Sequence, residues 1–222
     1  MSYRNIWKRV IDFTLSLIAF LVLLPIFLLL AIIIKIDSKG PVLFQQSRSG
    51  KNNKTFQILK FRTMMMDTPK NIPTGQLSDP DRYITGFGNF LRKTSLDELP
   101  QIINIIKGEM SIVGPRPLIL EETEVISLRE KNHANELLPG LTGWAQINGR
   151  DVMPPDVKAR FDGEYYEKIS FWFDAKIFFR SVVYVLRRDG IHEGKIHDFY
   201  NEMPTDEGDA QACNQSDDSS FE

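Results

Sequence analysis

Phe13 to Ile34 reads FTLSLIAFLVLLPIFLLLAIII, 22 residues without a charge. A helix of that length can span the roughly 30 Å hydrocarbon core of a bilayer, so this stretch ties the chain to a membrane. The residues that follow, Lys35-Ile36-Asp37-Ser38-Lys39, offer no small-residue cleavage site, so a removable signal peptide is not expected. Arg4, Lys8 and Arg9 precede the segment; Lys35, Lys39, Arg48, Lys51 and Lys54 follow it. The positive-inside rule would keep both flanks in the cytoplasm, which a single crossing cannot do. Pro25 removes a backbone hydrogen bond near the middle and favours a kink. From Asp12 to Leu24 is only about 20 Å of helix, too short to cross. A helix that enters, bends at Pro25 and returns to the same face accounts for all three features. The plainer alternative is a single crossing with a tolerated proline. A carboxylate in hydrocarbon costs about 2.5–3.5 kcal/mol on insertion scales, so Asp12 is expected near the headgroups, paired with Lys8 or Arg9 one turn earlier.

Beyond this segment the chain has room for one domain of ordinary size within its 222 residues. The formal charge of −2 hides an asymmetry. Met203 to Glu222 carries Asp206, Glu207, Asp209, Asp217, Asp218 and Glu222 with no Lys or Arg, and without it the body is about +4. A mildly basic body beside a membrane suits anionic headgroups or phosphate-bearing substrates. The tail is polar and poor in aromatics, and is expected to stay disordered. Cys213, the one cysteine, lies in it; no internal disulfide can form, which fits a reducing cytosol. Nucleic-acid binding has little support, because the excess charge is small and no known module is present.

Pro41–Gln46 and Phe56–Thr63 are strand-like around a Ser49–Lys54 turn, which predicts a hairpin. Met64–Tyr83 is polar and punctuated by Pro and Gly, hence a loop. Leu99, Ile102, Ile103 and Ile106 predict a helix over Asp97–Lys107, stopped at Gly108. Ser111–Val113 is a candidate short strand ended by Gly114-Pro115-Arg116-Pro117. Leu118–Leu138 has helical stretches, and Pro139–Asp151 reads as irregular. Phe171–Arg188 predicts an amphipathic helix with apolar positions 171, 175, 178, 182 and 185. Its aromatic face could lie on the core or on the membrane surface, with the core as the default.

The first candidate for chemistry is Asp97-Glu98 in Thr94-Ser95-Leu96-Asp97-Glu98-Leu99-Pro100. Ser95 with Glu98 could be a capping box, but Pro100 would then stand where its ring and missing N–H are costly. With Asp97 as N-cap, Pro100 loses no hydrogen bond, and the helix dipole would favour both ionised carboxylates. Such a pair could hold Mg²⁺ or attack phosphorus. Lys60 and Arg62 are two apart on a predicted strand and share a face with Phe56 and Ile58. Arg116 sits between two prolines, which pre-orients its guanidinium for bidentate phosphate contact or simply rigidifies a surface turn. Arg92, Lys93 and Arg150 could add to a phosphate site, though each could equally be a solvated charge. Asp79-Pro80-Asp81 resembles an Asp-x-Asp metal motif but lies in a polar loop. His133, His192 and His197 have no metal-ligand spacing, and there is no phosphate-binding glycine pattern.

With Lys8-Arg9-x-x-Asp12, Lys60-Phe61-Arg62-Thr63-Met64, Arg92 through Gln101, Gly114-Pro115-Arg116-Pro117, Pro139 through Gln146, Asn148-Gly149-Arg150 and Asp162…Asp174 in this order, the chain resembles the bacterial sugar transferases. These are the monotopic polyprenyl-phosphate sugar-1-phosphate transferases that initiate glycan assembly. The resemblance runs from about Lys8 to Ile191. It implies transfer of a sugar-1-phosphate from a UDP-sugar to undecaprenyl phosphate with release of UMP. It further implies Asp97 as nucleophile through an aspartyl-phosphosugar, Glu98 as its partner with Mg²⁺ or as a base, and Arg116 at a phosphate. By the same resemblance Lys60, Arg62, Arg92, Gln146, Arg150, Asp162 and Asp174 are expected at the substrate site, and Asp97 and Glu98 at the metal. The expected partners are the UDP-sugar, undecaprenyl phosphate, membrane lipids and downstream glycosyltransferases, with no nucleic acid.

The resemblance also implies a re-entrant helix, and with it placement on the cytoplasmic face of a bacterial inner membrane. The expected fold is therefore α+β and mainly helical. It comprises a re-entrant helix kinked at Pro25 over 1–37, a transferase domain over 38–202 with a small β-hairpin and amphipathic interfacial helices, and an acidic tail over 203–222. Leu24 stands where family members often have Ser before the proline. The acidic tail after about Ile191 is not expected to match the family, and no counterpart of the larger relatives' N-terminal multi-helix extension is expected. Two other readings compete: an anchored adaptor that tolerates Asp97→Asn, and a metal-dependent glycosyltransferase using Asp79 and Asp81 that would release UDP. Sugar choice is expected to lie in the loops Met64–Tyr83 and Asp151–Lys158.

Overall fold

The computed structural model describes residues 3–68, 80–149 and 153–187, all within one compact unit. Expectations that fall on most of the Met64–Tyr83 loop, on Arg150 and on the acidic tail lie outside the described residues. The side chains of Asn5, Pro80, Asp81 and 185–187 are not described either. The described residues are mainly helical, with seven α-helices and two small two-stranded sheets.

A π-helical turn, Tyr3–Trp7, leads into α1, Lys8–Asp37, which contains Pro25. It is long and apolar enough to cross a membrane. Its inward positions recur every three or four residues: Lys8, Asp12 and Ser16 are buried, as are Phe27, Leu30 and Ile34. Phe20 and Leu23 between them pack on the same apolar cluster. Leu17, Ile18, Leu21, Val22, Leu28, Leu29 and Ile32 are exposed. One helical face therefore meets the body, and the opposite face is bare hydrocarbon.

The expected hairpin forms from β1, Leu43–Ser49, and β2, Thr55–Phe61, paired antiparallel so that Arg48 faces Phe56, Gln46 faces Ile58 and Phe44 faces Lys60. A short helix α2, Gly86–Lys93, is capped by Thr85, whose hydroxyl accepts from the Gly88 amide. The predicted helix at Asp97 begins later than the sequence suggests. Leu96–Glu98 forms a 3-10 turn and α3 spans Gln101–Lys107, with Pro100 as its N-cap and Gly108 at φ +90° closing it. Proline has no N–H to give, so regular helical bonding starts after it. Asp97 is not an N-cap.

Strand β3, Ser111–Val113, pairs in parallel with β4, Gly140–Thr142, inside the stretch read as irregular. The two segments approach so closely that a Cβ on Gly140 would lie 2.1 Å from the Gly114 nitrogen, and one on Gly143 would lie 2.1 Å from the Gly114 carbonyl oxygen. Only glycine admits such contact. Helices α4, Thr123–Lys131, α5, Trp144–Gly149, α6, Pro155–Lys168, and α7, Phe171–Arg187, complete the body. On α7 the inward residues are Asp174 and Ile177, whereas Phe171, Trp172, Phe178, Phe179 and Val182 are exposed. The aromatic face, expected on the core by default, points outward.

Candidate active site

The 3-10 turn that carries Asp97 and Glu98 is held from beneath by its neighbours. Leu96 and Leu99 pack on Phe27, Leu30 and Ile34 of α1 together with Phe61 and Leu91. Behind the turn, α3 is fixed to β2 through Asn104, which is fully buried. Its Oδ1 accepts from the Leu59 amide at 3.0 Å and its Nδ2 donates to the Gln57 carbonyl at 2.8 Å. Arg9 of α1 donates to the carbonyls of Ile105 and Ile106 at the far end of α3.

From β2, Lys60 donates to Glu98 Oε1 at 2.7 Å. The Gly114–Pro117 loop brings Arg116 to the same place. Its backbone is pinned on several sides: the Gly114 amide donates to Thr142, the Gly140 amide to Pro115, and Arg129 Nη1 to the Arg116 carbonyl at 3.0 Å. Lys60, Glu98 and Arg116 line a cleft together with Arg48, Gln101, Leu141 and Gln146. Gln146 Nε2 reaches the Leu141 carbonyl at 3.5 Å, while its Oε1 is buried and accepts no hydrogen bond. A buried acceptor beside a cleft is one that a ligand's N–H or O–H would satisfy.

The two carboxyls titrate apart. Burial, and then the charge of Glu98, push Asp97 up to about 6, against the pull of Lys60 and Arg92. The sequence-based expectation of dipole-stabilised ionisation fails for Asp97, because the turn is 3-10 and partly enclosed. Burial also works to raise Glu98, but Lys60, Arg116 and Arg48 hold it below the usual carboxylate range. An ionised Glu98 beside a more basic Asp97 is an arrangement that divides two roles between like groups.

Of the residues expected at a substrate site, Lys60, Arg116 and Gln146 meet in this cleft. Arg92 acts on Asp97 from the other side while its Nε donates to Thr63 Oγ1 at 3.0 Å. Three others lie elsewhere. Arg62 is buried and donates to the carbonyls of Ile34 and Ser38 and to the Ser38 hydroxyl at the end of α1. Asp162 pairs with Arg129 at 2.6 Å. Asp174 accepts from Lys8 at 2.6 Å, Tyr3 at 2.7 Å and Tyr165 at 2.6 Å. Asp12 pairs with Lys8 at 3.9 Å and accepts from Ser111 at 2.6 Å; Arg9, the other expected partner, is the cap of α3 instead. Arg48 and Gln101 were not expected here. The signal for Arg48 was the hairpin register, which places it on the face of Phe56, Ile58 and Lys60.

For Mg²⁺, the fit rests on two carboxylates. The described residues hold no cluster of three or more His, Cys, Asp or Glu. Mg²⁺ commonly takes one or two carboxylates and completes its shell with water and substrate phosphates. Asp97 and Glu98 match that pattern, since the mutual repulsion that raises Asp97 is what a bound cation would relieve.

The family model described as bacterial sugar transferase matches residues 3–188. Over 183 residues the chain is 40% identical to the UDP-glucose:undecaprenyl-phosphate glucose-1-phosphate transferase of Escherichia coli (strain K12), covering 79% of this chain and 39% of that protein. It is 34% identical over 199 residues to the undecaprenyl-phosphate galactose phosphotransferase of Salmonella typhimurium, covering 83% and 41% respectively. The exopolysaccharide production protein ExoY of Sinorhizobium fredii is 37% identical over 192 residues, with 80% of this chain and 84% of that one covered. The chain thus spans about two fifths of the two longer relatives.

Proposed function

The chain belongs to the bacterial sugar transferase family, and we propose that it transfers a sugar-1-phosphate from a UDP-sugar to undecaprenyl phosphate. The observation that carries this reading is the Asp97-Glu98 pair, split in basicity, with Lys60 and Arg92 acting on Asp97 and Lys60, Arg116 and Arg48 on Glu98. Asp97, more basic than an ordinary carboxylate yet mostly ionised at neutral pH, is the nucleophile. Its oxygen bonds to the sugar-bearing phosphorus as the bond to the bridging oxygen breaks, and UMP departs with that electron pair. The lipid phosphate then attacks the same phosphorus, displaces Asp97 and leaves as the undecaprenyl-diphosphosugar. A carboxylate approaching a diphosphate meets like charge, so the cations of the cleft lower the barrier by fixed electrostatics. Asp97 and Glu98 would hold Mg²⁺, which supplies further neutralisation of the phosphate oxygens when bound. Glu98 stays charged, anchors Lys60 and leaves Asp97 as the more reactive oxygen.

The reaction requires a site at the headgroup level, and the packing of α1 supports a re-entrant helix on the cytoplasmic face. Arg9 near its start and Ile34 near its end both contact one body, through the carbonyls of α3 and through Arg62. A straight crossing would set those ends about 30 Å apart on opposite faces. The outward aromatic face of α7 suits the membrane surface as well. The pathway served is the first membrane step of a bacterial glycan.

The test is purified protein with a panel of UDP-sugars, undecaprenyl phosphate and Mg²⁺, scored for UMP. Wild-type protein is expected to release UMP and Asp97→Asn to release none. Full release by Asp97→Asn, or UDP as the product, would sink the mechanism.

A further inference from the structure

We infer that Arg48 is a third arm of the phosphate cradle, binding the diphosphate of the nucleotide-sugar donor beside Lys60 and Arg116. The inference rests on the reading of the cleft given above and adds to it a residue from the opposite strand of the hairpin. Two observations carry it. Antiparallel register puts Arg48 and Lys60 on one face of the β1–β2 hairpin, and both line the cleft with Arg116. The cleft lining then holds three cations and one carboxylate, a balance that suits a dianionic group in a partly enclosed space.

The bland alternative is that Arg48 ties β1 to the Gly114–Pro117 loop. Its Nη1 does point to the Pro117 carbonyl, but at 3.4 Å, a long contact. That tie is made better by the backbone, where the Ser49 amide donates to the Leu118 carbonyl at 2.9 Å. Arg48 Nη2 donates to Gln46 Oε1 at 2.7 Å, two residues back on the same face, which steers the planar guanidinium along the hairpin. A guanidinium lining the cleft can recognise a diphosphate by two parallel bonds, which a lysine cannot imitate.

The experiment measures binding directly, so it decides whether or not turnover is seen. Wild type, Arg48→Gln and Arg48→Lys, all full length in lipid nanodiscs, are titrated with UDP, with pyrophosphate and with uridine. Arg48→Gln is expected to weaken UDP and pyrophosphate binding about tenfold or more, the loss typical of one charge-assisted contact. Uridine binding and the ligand-free melting temperature are expected to stay as in wild type. Arg48→Lys, which keeps the charge but not the fork, should fall between them. Equal pyrophosphate affinity in wild type and both variants would overturn the inference, and so would an equal loss for uridine. If Arg48→Gln does not fold, the Arg48→Lys titration alone decides on the same criteria. Wild-type protein that binds UDP and pyrophosphate but releases UMP from no UDP-sugar would instead count against the proposed reaction and leave the Arg48 result standing.

Discussion

Asp97 and Glu98 are neighbours in sequence, yet only one of them carries an energetic burden for the fold. Glu98 is drawn down by Lys60, Arg116 and Arg48, whereas Asp97 is raised by burial and by Glu98. Between about pH 4 and 6 the folded chain therefore holds the Asp97 proton more tightly than the unfolded chain does. Stability falls as pH rises through that window, and the cost persists above it. Asp97→Asn should thus abolish UMP release and at pH 7 raise stability, by at most about 3 kcal/mol and by less after solvent screening. Thermal melts of both proteins at pH 7 and pH 4 check this, since the gain should shrink at the lower pH. The proposed mechanism carries the opposite sign: Asp97 as nucleophile must be ionised, so kcat/KM should drop as pH falls below about 6. A flat profile down to pH 5 would remove Asp97 from the role. At this scale Lys60 and Arg116 were legible in the sequence, one from strand alternation and one from its flanking prolines. Arg62 shares the alternation of Lys60 but lies where β2 meets the end of α1, a long-range contact that no local pattern encodes.

At the scale of elements, Asn104 sets the distance between the carboxylate turn and the strand that carries Lys60. Its side chain satisfies the Leu59 amide and the Gln57 carbonyl and donates to Glu109 Oε2 at 2.7 Å. Asn104→Ala would orphan two backbone groups in the core, at a cost of about 2–4 kcal/mol. Denaturation midpoints in detergent measure it, and Asn104→Asp, which keeps the acceptor for Leu59 but sets an oxygen against the Gln57 carbonyl and the Glu109 carboxylate, should cost at least as much. The hairpin, α3, β3 and α7 were legible because each has a local period or a stop signal. Helix α6 was not, because its buried residues are Lys158, Ala159, Asp162, Gly163 and Tyr165. A helix that buries a lysine against Glu122 and an aspartate against Arg129 shows no apolar stripe. Strand β4 is three residues long and exists by pairing with β3, some thirty residues upstream. The inward face of α7 was misjudged for the same reason as α6: Asp174 points in, held by Lys8, Tyr3 and Tyr165, and takes the helix's polar side with it.

For the whole molecule the question is how a catalytic body can sit on a membrane through a helix long enough to cross it. The buried stripe of α1 gives the physical terms. Its first turns bury Lys8, Asp12 and Ser16, with Asp12 accepting from Ser111 and Lys8 donating to Asp174, contacts that belong on a protein surface rather than in lipid. Its last turns bury Phe27, Leu30 and Ile34 under the leucines that flank Asp97 and Glu98. Both ends thus pack on the body that carries the candidate site, which is the ground for the proposed re-entrant topology. The expected outcome is that, in a protein with Cys213 replaced by Ser, single cysteines at Ser2 and at Lys39 react with a membrane-impermeant thiol reagent only after the cytoplasmic side is opened. Labelling of either position from the periplasm would restore a single crossing, and would require that Arg9 with Ile105 and Arg62 with Ile34 not coexist in the membrane. The leucines beside the carboxylates link this topology to the chemistry. Replacing Phe27 and Leu30 together by Ala should lower kcat by loosening that turn while leaving both label positions cytoplasmic. A periplasmic label in that variant would mean instead that the buried stripe itself, and not only the basic flanks, holds the helix on one face.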